Sequence, residues 1–260
     1  MLLALAPATL GLAAGDAAKV PVLMYHHLVT GTPSSEAELH VDCFRSQMQF
    51  LHDYGFTTLT LAELEAYHAA GRFPARSVVI TFDDGYRSFL EHAHPVLDAF
   101  GFDAVLFPVV SLRPGLQRAI VWSDHLSFHE IRAMAQGASL LDVGSHSYDL
   151  HHLTDHDLPA VLRQPGESPC QHEARLRDDL LLSQMLLAAQ TDQTVTALAW
   201  PFGAFDAAAV DVAQDLGFSL LFTTEPGYVT PCAPLKALPR FTVAAGAGPC
   251  FREVVEGRLR

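Results

Sequence analysis

The sequence is poor in basic residues: 16 Lys and Arg stand against 29 Asp and Glu, for a net charge of −13. That balance argues against nucleic acid or another polyanion as partner, because like charges repel it. Cysteine is scarce as well. Cys43, Cys170, Cys232 and Cys250 lie far apart with no C-x-x-C pair, which excludes a zinc ribbon and a thioredoxin-like motif. Cys43 is expected as a free, buried thiol, and Cys232 and Cys250 are either free or, in an exported protein, bridged. The apolar run Leu2–Ala14 is too short to span a bilayer, so no stable membrane span is expected. With the small residues Ala13 to Ala18 it fits the apolar core and cleavage region of a secretory signal, although no Lys or Arg precedes it; a disordered or docked N-terminus is the alternative. Residues 1–18 are therefore set apart from one folded unit spanning 19–260, expected to be a monomer in a secreted, periplasmic or cell-surface location. Histidine, by contrast, is abundant at 14 residues, which hints at metal or acid–base chemistry, yet none follows His172.

With half of its 260 residues hydrophobic, the chain can bury one large core without dividing into two domains. Apolar strands alternate with amphipathic helices from Val20 onward. Strands are expected at Val20–Tyr25, near Phe56–Thr58, around Val78–Ile80, at Ala104–Val109, Leu141–Gly144, Thr196–Trp200 and Phe218–Thr223. Between them the pattern predicts helices at 42–54 with Asp42 as N-cap, 60–70 opened by a Thr60/Glu63 capping box, 88–100, 128–136, 173–189 and 206–216. Gly55-Phe56, Gly101-Phe102 and Gly217-Phe218 each end a helix with glycine and begin a strand with phenylalanine. Six or seven such units with right-handed crossovers close most naturally into a parallel barrel, a doubly wound open sheet being the runner-up. In either fold, functional residues gather at the carboxyl ends of strands.

Four such ends carry chemistry. The first is Thr81-Phe82-Asp83-Asp84-Gly85, where two adjacent carboxylates either share a site with a cation, one binding it and the other acting as base, or form a solvated Asp-Gly turn. The second is His146-Ser147-Tyr148-Asp149-Leu150-His151. Residues five apart on a helix diverge by about 140°, so both imidazoles converge only if the segment is a strand end followed by a turn. Two imidazoles, one carboxylate and an open position make a catalytic metal pattern; a solvated His-rich loop, including His152 and His156, is the alternative. The third is Trp200-Pro201-Phe202-Gly203, either a wall on which a sugar stacks or core aromatics closing the barrel mouth. The fourth is Tyr25-His26-His27, whose histidines either reach the same mouth or pack beside it.

Together these residues resemble the polysaccharide deacetylase family, carbohydrate esterase family 4 or NodB-homology domain, over Val20 to Val243. The resemblance implies a single-domain α/β fold, a distorted parallel (β/α)7–8 barrel. It implies Asp83 as general base and Asp84, His146 and His151 as ligands of one divalent ion, with zinc the default and Fe, Co or Ni also suited to the donors. Most of the family spaces its motif histidines four apart. The five-residue spacing and the W-P-F-G at 200–203 are similar to the poly-β-1,6-N-acetylglucosamine deacetylases of biofilm systems. The family's arginine ahead of Pro-Tyr-Gly, which orients the base, is absent here, since Ala199 and Trp200 occupy the aligned positions. Its late histidine acid is also missing, and the branch resemblance moves that role to His26. Tyr86, Tyr148, Trp200, Phe202 and Gly203 are implied to face substrate. The implied reaction is hydrolysis of N-acetyl groups on an N-acetylglucosamine polysaccharide. Chitin oligomers or peptidoglycan as substrate, an O-acetyl ester as the bond cleaved, and a non-catalytic glycan-binding relative are the alternatives.

Overall fold

The computed structural model describes residues 16–112, 124–137, 141–246 and 248–259. Its main strands, in chain order, are β1 (Val20–Tyr25), β2 (Ser77–Asp84), β3 (Ala104–Pro108), β4 (Leu141–Val143), β5 (Ala197–Ala199), β6 (Leu220–Phe222) and β7 (Phe241–Thr242). Parallel ladders join β1 to β2, β2 to β3, β3 to β4, and β5 to β6. Two joints are single parallel bridges: Ser145 with Leu198 links the end of β4 to β5, and Phe222 with Leu238 links β6 to the run into β7. Because β7 then pairs in parallel with β1, Phe241 opposite Leu23, the ring closes. The fold is therefore the distorted parallel barrel, and the open doubly wound sheet is excluded because no edge strand remains in the ring.

Side-chain alternation explains how the barrel serves a site. Successive residues of a strand point to opposite faces. Val22, Val79, Val105, Phe107, Ala197, Ala199, Leu220, Phe222 and Leu238 form one buried cluster drawn from five of the seven strands and the run into β7, so it fills the interior. Leu23, Tyr25, Ile80, Phe82 and Leu106 belong to the other cluster, shared with the surrounding helices. The helix Val41–Asp53 supplies Phe44, Met48 and Leu51 to that layer; burying side chains of this size contributes about 1.5–3 kcal/mol each. By the same period of two, Val79, Thr81 and Asp83 share the inward face, so β2 carries a carboxylate into the interior at its carboxyl end.

Several helix boundaries differ from expectation for identifiable reasons. The N-cap of the first helix is His40, not Asp42: His40 is delivered in extended backbone by the short strand Glu38–His40, and its Nδ1 accepts from the Asp42 N–H at 3.1 Å. The helix expected over 88–100 begins as a π-turn, Phe89–Ala93, before the α-helix His94–Phe100. Pro95 would push its ring against the carbonyl four residues back, and the widened turn gives that carbonyl room. The longest helix runs Pro169–Thr191, starting earlier than predicted because Ser168 and Gln171 form a capping box with Pro169 in the first turn. The Thr60/Glu63 capping box is present, and Gly55, Gly101 and Gly217 hold φ of 68°, 66° and 89°, the left-handed helix stop that their glycines signal. Cys43 is exposed rather than buried, and Cys170, Cys232 and Cys250 are likewise free and exposed. The apolar run Leu2–Ala14 lies outside the described residues. Among the described residues no helix is long and apolar enough to cross a membrane.

Candidate active site

The metal-type donors converge. Asp84 Oδ1 lies 3.5 Å from His146 Nε2 and 3.4 Å from His151 Nε2, and one donor atom from each of the three fits within 4.8 Å of the others. The segment 146–151 is a strand end running into a turn, the only local geometry in which that spacing serves one ligand. His146 donates from Nδ1 to Ala199 O at 2.7 Å, a hydrogen bond that fixes its tautomer and leaves the Nε2 lone pair facing Asp84. Burial pushes its pKa down to about 4, so the ring is neutral and ready to ligate at neutral pH. One carboxylate, two neutral imidazoles and a mouth open to solvent suit a divalent ion with vacant positions.

Asp83 faces a different partner. Arg240, completely buried, donates from Nη1 to Asp83 Oδ1 and from Nη2 to Oδ2, both at 2.7 Å. The same guanidinium donates from Nε to Thr223 O at 2.9 Å and from Nη1 to Thr81 Oγ1 at 3.2 Å. It lies beside the contacting interior rings of Phe107 and Phe222, 5.8 and 5.9 Å from their centroids. Burial alone would raise the Asp83 carboxyl, but Arg240, aided by His146 and His26, outweighs it and holds the pKa at about 2. The arginine that the W-P-F-G strand end lacks is thus provided by the residue that leads into the last strand of the barrel. Sequence reading missed it, because a lone arginine before a two-residue strand carries no motif; its one signal was a cation inside the apolar stretch Leu238–Val243.

His26 follows β1 directly, and its proximity to Asp83 helps lower that carboxyl. Its Nδ1 is buried and makes no hydrogen bond among the described residues. His27 points elsewhere: its ring stacks on Tyr86 at 4.6 Å and 15°.

The aromatic positions divide. Phe202 is 47 % exposed and lies against His151, ring centroids 4.5 Å apart, so it is the aromatic wall at the mouth. Trp200 is a correction: it is fully buried and stacks on Phe205, because the residue before Pro201 turns inward to complete the core. Tyr86, expected to face substrate, is sandwiched between His27 and His125, so only its edge and hydroxyl can meet a ligand. Burial, with Asp84 close by, raises that hydroxyl to about 12, and it stays protonated as a donor. Tyr148 is half-buried and packs on the core. Gly203 is structural: at φ 68° an added Cβ would sit 2.1 Å from Thr224 Oγ1. Asp84, Ser147 and Phe202 all adopt left-handed backbone, φ 65°, 73° and 57°. Such non-glycine conformations cost about 1–3 kcal/mol each and persist where surroundings over-determine them.

A barrel with an Asp-His-His cluster and an arginine-held aspartate at its carboxyl mouth defines the class of protein, and sequence comparison agrees. The polysaccharide deacetylase family model matches residues 70–221. The chain belongs to that family. The matched span holds Asp83, Asp84, His146, His151 and 200–203, but neither His26 nor Arg240. The chain is similar to YxkH of Bacillus subtilis, 29 % identical over 245 residues covering 92 % of this chain and 77 % of that one. It is 25 % identical over 227 residues to the poly-β-1,6-N-acetyl-D-glucosamine N-deacetylase of Escherichia coli, covering 79 % of this chain but only 34 % of that protein. The chain thus spans about a third of the length of the Escherichia coli relative. Among solved structures it is similar to IcaB of Ammonifex degensii, with TM-score 0.77 and 27 % identity over 93 % of this chain and 97 % of that one.

Proposed function

We propose that this polysaccharide deacetylase is a divalent-metal-dependent N-deacetylase of β-1,6-linked N-acetylglucosamine polymers. The observation that carries the reading is the placement of Asp84, His146 and His151 around one point beside an Asp83 held by Arg240. A divalent ion held there supplies Lewis acidity toward a water and the acetyl carbonyl. Asp83 accepts the proton of the attacking water, while Arg240 keeps its carboxylate charged and fixed in direction. The backbone N–H of Phe202 is the candidate donor to the developing oxyanion. As the C–N bond breaks, the amine takes a proton from His26, and acetate leaves. Phe202 offers the sugar an apolar face.

The glycan linkage rests on the five-residue histidine spacing, the W-P-F-G strand end and the names of the relatives. Acetate release from matched β-1,6-linked, chitin and peptidoglycan oligomers, with and without chelator, tests it. The expected outcome is fastest release from the β-1,6 oligomer, lost on chelation and restored by zinc. Faster turnover of chitin or peptidoglycan would refute the linkage, and chelator-insensitive release would refute the metal.

His26→Ala should keep fold and bound zinc but lower kcat by roughly 10²-fold, the scale of a general acid. His27→Ala, which removes only the ring stacked on Tyr86, should leave kcat within a few-fold. Steady-state kinetics with both variants decide between them, and a larger loss in His27→Ala would move the role one residue along.

A further inference from the structure

His146 and His151 are held in place by different means. The first is tied through its own ring to Ala199 O. The second makes no ring hydrogen bond among the described residues; beyond its contacts with Phe202, Asp84 and the His146 ring, its place is set by the path of its backbone. That path is fixed by side chains. The Ser147 N–H donates to Ser145 Oγ at 3.0 Å, Tyr148 N–H to Asp179 Oδ1 at 2.8 Å, Asp149 N–H to Asp179 Oδ2 at 2.8 Å, and Leu150 N–H to Ser147 Oγ at 3.0 Å. Every amide from 147 to 150 therefore ends on a side-chain oxygen. Asp179 takes two of them with one carboxylate. It stands on the longest helix, and one turn later Ser183 reaches the same loop through Ser145 Oγ at 2.6 Å. The carbonyl side is tied too, with Val110 N–H to Ser147 O at 3.1 Å and Ser111 N–H to Tyr148 O at 2.7 Å.

Such a clamp answers a specific need. Ligands five positions apart cannot be bridged by helix, and Ser147 makes the necessary reversal at φ 73°, where a non-glycine residue is unfavourable. A loop with that bias drifts unless its amides are anchored. Of their acceptors Asp179 alone comes from outside the segment 145–150, and it is half-buried, where burial pushes its pKa up to about 6 despite the two N–H donors.

We infer that Asp179 is the positioning residue of the metal centre, setting where His151 stands by holding the Tyr148 and Asp149 amides from the helix side. This rests on the metal reading above. Removing an outer partner of a ligand typically costs 10–100-fold in metal affinity. Asp179→Asn is nearly isosteric but keeps one acceptor and turns an NH₂ toward an amide N–H.

The test is zinc affinity of the metal-free protein, measured by competition with a chromogenic chelator, alongside circular dichroism and thermal unfolding without metal. Asp179→Asn should bind zinc about 10–100-fold more weakly, while metal-free Tm moves by only a few degrees. Asp178→Asn removes the neighbouring, exposed carboxylate of the same helix and should leave zinc affinity unchanged. Affinity within about twofold of the parent in folded Asp179→Asn, or an equal loss in Asp178→Asn, overturns the inference. Should Asp179→Asn fail to fold, Ser183→Ala loosens the same clamp and must still weaken zinc several-fold; unchanged affinity there also overturns it. A parent protein that binds no zinc would instead refute the metal reading itself, so the two failures are distinguishable.

Discussion

Arg240→Met should cost about 3–5 kcal/mol of stability, because it leaves the Asp83 carboxylate buried with no permanent countercharge. Asp83 is only 2 % exposed and Arg240 not at all, so solvent cannot compensate. Met keeps the stem's bulk beside Phe107 and Phe222, which isolates the electrostatic loss from a cavity. Denaturant unfolding of the metal-free protein measures the cost. The double variant Asp83→Asn with Arg240→Met should recover part of it, since no isolated charge is then left inside, and with the Asp83→Asn single variant it closes the cycle that gives the coupling energy of the pair. Additive losses would mean that the two side chains do not depend on each other. Arg240→Lys, with one compact ammonium in place of a planar fork, should recover less than the full stability. Turnover in Arg240→Met should also fall by at least ~10²-fold, since the proposed base loses the paired hydrogen bonds that orient it.

The second large effect is at the metal-type cluster. Asp84→Ala, His146→Ala and His151→Ala should each abolish zinc binding and turnover together, read by elemental analysis and acetate release. Each removal leaves two donors, one fewer than the minimum catalytic set. Asp83→Asn should behave differently, retaining zinc while losing at least ~10²-fold in rate. His152 and His156 are exposed and lie outside the cluster, so their replacement should leave zinc content normal. Full zinc occupancy in any one of the three cluster variants would remove that residue from the ligand set, and zinc loss in Asp83→Asn would make Asp83 a ligand.

Both predictions concern residues that differ in how visible they were. Asp83 and Asp84 could be read directly, because a β-branched run ending in Asp-Asp-Gly is a strand arriving at a turn, and a strand's carboxyl end is where a barrel keeps its site. His146 and His151 were legible for the same reason, with their spacing dictating a turn rather than a helix. Tyr86 and Trp200 show the limit of that logic. An aromatic at a strand end has two faces of backbone to choose from, and only packing decided that Trp200 turns inward and Phe202 outward.

Local rules fixed by covalent geometry were therefore carried by the sequence alone: helix stops at glycine, the Thr60 capping box, alternation along strands and the two motif-bearing ends. What joined them was decided by the closed barrel. Arg240 reaches Asp83 across 157 positions of chain because β7 pairs with β1, which pairs with β2. Asp179 reaches the histidine loop across 31 because the longest helix packs behind it. Neither partner is marked by periodicity or spacing. Electrostatic pairing depends on distance in space, and that distance exists only once the ring of strands has closed.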